Sequence, residues 1–166
     1  AFNANRQIAW QRQLDPNETG QLGVYSAPTI SGNLLILSIV DGNGPSEPGL
    51  IALDARSGEN VWTARDNASI KLTGWSNLRS SPAVTGNYVV FGEGYSDLLV
   101  VVDRSTGETL WSTEVGPFCY PHWPSPIVNT NAEGGGIAYL ARHDGGVYGI
   151  DLQTQEVIWS IYLGDV

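Results

Sequence analysis

The stretch Asp54-Ala-Arg-Ser-Gly-Glu-Asn-Val-Trp62 returns as Asp103-Arg-Ser-Thr-Gly-Glu-Thr-Leu-Trp111 and again as Asp151-Leu-Gln-Thr-Gln-Glu-Val-Ile-Trp159. In each copy Asp and Trp lie eight residues apart, a hydroxyl stands third after the Asp (Ser57, Thr106, Thr154) and a Glu fifth (Glu59, Glu108, Glu156). Similarity at fixed spacing marks a repeat protein. With Trp10 included, the motif tryptophans are 52, 49 and 48 residues apart, the length of one propeller blade. Outward from the motif, each period divides into four strand-sized segments broken by turn residues such as Thr85-Gly-Asn87 and Ser105-Thr-Gly107. Four antiparallel strands, repeated, predict an all-β fold, a β-propeller of four-stranded blades. Blades are expected over 25–65, 79–114 and 125–162, with a leading strand over 6–14 that corresponds to a fourth strand.

The motif residues suit structural work. Each Trp is expected to pack between neighbouring blades, while the Asp and the hydroxyl cap a tight turn. Gly58 and Gly107 suit a positive-φ position in that turn, and Gln155, which replaces the glycine in the third copy, predicts a strained or differently shaped turn. Pro28, Pro82 and Pro126 are placed in the first strand of each blade, where no ladder donor is needed.

Ser80-Ser-Pro-Ala-Val84, Asp144-Gly-Gly-Val-Tyr-Gly-Ile-Asp151, Leu53-Asp54-Ala-Arg-Ser-Gly-Glu59 and the closing tryptophans together resemble the PQQ-type β-propeller repeat. That family includes the quinoprotein alcohol dehydrogenases and the outer-membrane assembly lipoprotein propeller. No Trp is followed by Asp, and Gly-Gly doublets occur only in the third unit, so the Trp-Asp and kelch propellers fit less well. The resemblance implies a fold. It does not imply an activity, because catalytic and non-catalytic members share the repeat.

Net charge is -9 with a single lysine, Lys71, which disfavours nucleic acid and anionic membrane surfaces as partners. No run approaches the length of a membrane span; the most apolar stretch, Leu34 to Val40, is strand-sized. The single cysteine, Cys119, forms no intrachain disulfide and could pair only with another chain. The chain has neither an initiating Met nor a signal peptide and is read as a mature or trimmed product. With the resemblance, that places it outside the cytoplasm of a bacterium, periplasmic or secreted. Three blades do not close a ring, so the chain is expected either to continue into further blades or to pair with a second copy as a homodimer.

Strand alternation sends the fourth-to-first and second-to-third connections to one face. The longer loops gather there and carry the candidate ligand-binding residues Trp75, Arg79, Tyr120, His122, Trp123, Arg142 and His143, a set able to engage a protein, a planar molecule or a sugar. No metal site is assigned. Asp41, Asn43 and Glu47 place oxygen donors as a calcium loop does, but the remaining ligands are missing and the stretch reads as a turn. The leading expectation is a non-catalytic propeller segment serving as a binding or assembly scaffold with no cofactor. The alternative, implied by the resemblance, is part of a quinoprotein dehydrogenase oxidising alcohols or sugars with PQQ and calcium. The neighbouring-cysteine disulfide of those enzymes is absent, since Cys119 has no second cysteine beside it. Nothing matches their calcium-binding Glu and Asn or their catalytic Asp, so the catalytic residues stay unknown.

Overall fold

The structure, a computed structural model, describes residues 1, 4–13, 22–24, 26–41, 49–65, 80–92, 97–116, 125–130 and 135–164. Its strands form three antiparallel sheets, one per repeat. The first holds β1 (Leu22–Gly23), β2 (Thr29–Ser31), β3 (Leu34–Asp41), β4 (Gly49–Asp54) and β5 (Asn60–Arg65). The second holds β6 (Ala83–Thr85), β7 (Tyr88–Gly92), β8 (Leu98–Asp103) and β9 (Thr109–Glu114), and the third β10 (Ile127–Thr130), β11 (Gly136–Ala141), β12 (Gly146–Asp151) and β13 (Glu156–Tyr162). These are partial propeller blades.

The middle strands are apolar at nearly every position because both of their faces are covered. Alternation then decides which neighbour each residue meets. Val89, Phe91, Val100 and Val102 pack with Ile36, Leu50, Ala52 and Trp62 of blade one. Val90, Leu99 and Val101 turn the other way, onto Ala138, Leu140, Ile150 and Leu152 of blade three. The core therefore lies between blades. Strand β13 is exposed along its whole length, and Trp159, 40% exposed, tilts at 41° to Tyr139 with 6.0 Å between ring centres.

Each fourth strand shifts register just before its Trp, opposite Ala52/Leu53, Val101/Val102 and Gly149/Ile150. The bulge leaves the preceding residue, Val61, Leu110 or Ile158, facing solvent.

The first strands begin later than the prolines suggested. Pro28, Pro82 and Pro126 stand immediately before β2, β6 and β10, since a residue without N–H cannot donate to the ladder. In blade one β1 and β2 both pair with β3, with Pro28 in the interval between them. The residue before each of the first two prolines is tied to the next blade instead. Ala27 N–H donates to Ser81 Oγ at 3.0 Å, and Ser81 N–H to Ser125 Oγ at 2.9 Å. In the leading segment, the described residues carry one isolated bridge, at Ile8.

Candidate functional site

The short-turn face is built by the repeated motif. Asp54 Oδ1 accepts the N–H groups of Arg56 and Ser57, both at 2.8 Å; Asp103 and Asp151 repeat the pattern with Ser105 and Thr106 and with Gln153 and Thr154. These donors hold all three carboxyls below 3.8. The largest cause is the Ser57 N–H for Asp54, the Ser105 hydroxyl for Asp103 and the Thr154 N–H for Asp151. The acidic side chains are thereby committed to their own turns.

On this scaffold the tryptophans reach the next blade. Trp10 lies over Gly58 and donates Nε1–H to Ala55 O at 3.0 Å; Trp62 lies over Gly107 and donates to Arg104 O at 2.9 Å. Gly58 and Gly107 have φ of 77° and 75°, and Gln155 keeps the same backbone at φ 65°. Its N–H still bonds Asp151 O at 2.9 Å, so the third turn is not reshaped, and the strain falls on a residue with a Cβ.

The long-loop face is described in part. Arg142 and His143 lie in the connection between β11 and β12, and they part company. His143 is exposed, whereas the Arg142 side chain is wholly buried and reaches into blade two. Its Nη2 pairs with Asp97 Oδ1 at 2.8 Å, and Nη1 donates to Val115 O. Asp144 Oδ2 lies 3.7 Å from Nη1, and the guanidinium carbon stands 5.5 Å from the Tyr148 ring centre. Burial first, then the hydrogen bond with Tyr162 at 2.8 Å, pushes the Tyr148 hydroxyl far above its ordinary value and keeps it protonated. Gly116 lets this cluster close, since a Cβ there would meet Arg142 Nη1 and the Tyr148 hydroxyl. The arginine is a strut between blades. Sequence gave no sign of its partner, because Asp97 is 45 residues away.

Trp75, Arg79, Tyr120, His122, Trp123, Asn43 and Glu47 lie outside the described residues, as does the side chain of Asp41. Among the described residues no three His, Cys, Asp or Glu side chains come together as metal ligands would. No described helix is long and apolar enough to cross a membrane.

A family model described as outer membrane protein assembly factor BamB matches residues 3–119. The BamB of Burkholderia pseudomallei (strain K96243) is 33% identical over 99 residues, covering 58% of this chain and 23% of that protein. Among solved structures, BamB from Moraxella catarrhalis matches with a TM-score of 0.70 and 20% identity, over 97% of this chain and 42% of its own. The quinohemoprotein alcohol dehydrogenase of Comamonas testosteroni matches with a TM-score of 0.67 and 16% identity, over 89% of this chain and 30% of its own. The chain spans less than half the length of these relatives, and the two structural likenesses speak to the fold alone. The family model covers most of the sequence, and the chain belongs to the BamB family of PQQ-like β-propellers.

Proposed function

We propose that this chain is a segment of a non-catalytic scaffold for outer-membrane protein assembly, working outside the bacterial cytoplasm, with protein contacts on its long-loop face. The match of residues 3–119 to the assembly-factor family carries this reading. The burial of Arg142 supports it, because the described residue best suited to hold an anionic ligand is spent on joining two blades. The exposed β13, with Trp159 and Ile161, is the surface that further blades, or a second copy, would cover.

Deleting the gene from its host should lower the amount of outer-membrane β-barrel proteins severalfold, and unaltered amounts would refute the scaffold. The dehydrogenase alternative draws on the repeat resemblance and on structural likeness, and of its candidate ligand residues the described Arg142 is spent on the neighbouring blade. Arg142 is closed off from any quinone by Asp97 and Val115. Dye-linked alcohol oxidation on adding PQQ and calcium to the full-length protein would reverse the choice.

A further inference from the structure

In blades one and two both oxygens of the turn carboxylate are engaged. Oδ1 takes the turn N–H groups, and Oδ2 accepts a side-chain amide N–H, from Asn33 at Asp54 and from Asn87 at Asp103. Strand register places Gly136 where those asparagines stand. Leu34, Tyr88 and Ile137 pair with Asp54, Asp103 and Asp151, and the carbonyls of Asn33, Asn87 and Gly136 accept the N–H of the residue after the Asp. No side chain fits at Gly136, because a Cβ there would run into the Asn129 carbonyl oxygen, which β10 brings alongside. Among the described residues Asp151 accepts only the N–H groups of Gln153 and Thr154, both on Oδ1, and Oδ2 is left without a donor. A hollow of about 200 Å³ is lined by Asn129, Thr130, Gly136, Ile137, Asp151 and Gln153. Asn129 pairs with Ile137 as Ser31 does with Leu34, so the hollow borders the place that an asparagine side chain fills in the other blades.

We infer that this hollow binds a guanidinium or ammonium group, the head of an arginine or lysine side chain. The molecule shows what the open oxygen takes, since the same carboxylate holds an N–H donor in two blades. The side chains of Asn129, Thr130 and Gln153 make no hydrogen bond among the described residues and offer further oxygen acceptors, which suits a guest with several donors. Charge favours a cation. No Lys or Arg lines the hollow, the chain carries a net charge of -9, and a charged donor bonds a carboxylate more strongly than an amide does. Asn129, Thr130 and Gln153 are exposed, so the guest enters from solvent, whereas the Asn129 carbonyl bars only a side chain rooted at residue 136. The site is on the short-turn face and does not depend on the loop-face proposal.

The test is a titration of N-acetyl-argininamide into the isotope-labelled full-length protein at low ionic strength, followed by NMR. The backbone amides of Gly136, Gln153 and Thr154 should shift, while those of residues 56–57 and 105–106, whose carboxylates are already filled, should stay in place. N-acetyl-lysinamide should move the same signals, and a response to one of the two cations alone would assign that head group. N-acetyl-citrullinamide, of similar shape without the charge, should bind about tenfold more weakly. Asp151→Asn keeps an oxygen for the turn, puts an NH2 in place of the open oxygen and should abolish the response. Asn87→Gly copies the third blade and should make residues 105–106 respond as well. The inference is overturned if no signal moves, if the three turns of the wild type respond alike, or if Asp151→Asn binds undiminished. It is equally overturned if Asn87→Gly gains no response, since the missing amide would then not be the cause.

Discussion

The seam between blades one and two and the seam between blades two and three bury closely similar cores and share a serine bond ahead of their first strands, yet Trp62 and Arg142 reach across them at opposite ends. The first is fastened on the short-turn face, by Trp62 over Gly107 and by Arg104 Nη1 donating to Ser31 Oγ at 3.2 Å. The second is fastened on the long-loop face by Arg142 with Asp97 and Val115, and on the short-turn face it stays open beside Trp111. Blade three carries Gln155 where blade two carries Gly107. Repeats that share a backbone need not share their adhesion, because a ring resting on a glycine tolerates no other residue there.

The largest effect expected from this contrast is on Trp62. Its replacement by Ala should lower the unfolding free energy of the full-length protein by roughly 3–5 kcal/mol, and Trp111→Ala by less than half as much. Equal losses in denaturant titrations would erase the distinction. Next, Arg142→Met should destabilise by about 3 kcal/mol, because Asp97, with its side chain only 5% exposed, keeps a carboxylate without its guanidinium. Adding Asp97→Asn should recover part of that loss, and a double variant no better than the single one would argue against the strut.

Exchanging the turn residues sharpens the comparison further. Gly107→Ala combines a φ of 75° with a Cβ aimed at the Trp62 ring and should cost about 1–3 kcal/mol. Gln155→Gly should instead raise stability by about 1 kcal/mol, since it relieves the left-handed strain and lets Trp111 settle. The smallest effect is an acid one. The folded-state pKa values of Asp54, Asp103 and Asp151 lie below 3.8, so their contribution is fully present above that pH and fades as pH falls through the lowered values. Asp103→Asn should therefore weaken the protein at neutral pH and flatten its loss of stability below about pH 4; an unchanged acid limb would deny the turn carboxylates their role.

The repeat made the fold legible because it records backbone requirements. The Asp that caps its turn, the glycine with positive φ and the Trp beyond the bulge appear at fixed spacing in any blade that needs them. The openings of the first strands were harder to read, since a proline fits equally within an edge strand and just ahead of it. The candidate site was legible as a face, not as a set of contacts. Arg142 carries the same chemistry whether it greets a ligand or a neighbouring blade, and its choice is fixed by Asp97 and Val115, 45 and 27 residues away. The serines before the prolines were passed over for a related reason: Ser81 and Ser125 lay within segments read as first strands, and their hydroxyls meet an N–H only once the preceding blade is set beside them.

Those serine contacts also have a direction. In both described instances the hydroxyl belongs to the later blade and the N–H to the earlier one, and each settled indole likewise belongs to the earlier segment and rests on the later. A blade is thus finished by its successor. As the chain leaves the ribosome, blade one carries an uncovered Trp62 ring until the next fifty or so residues arrive. Growth of the ring is therefore vectorial, like courses of roof tile in which each row is weatherproof only once the following row overlaps it.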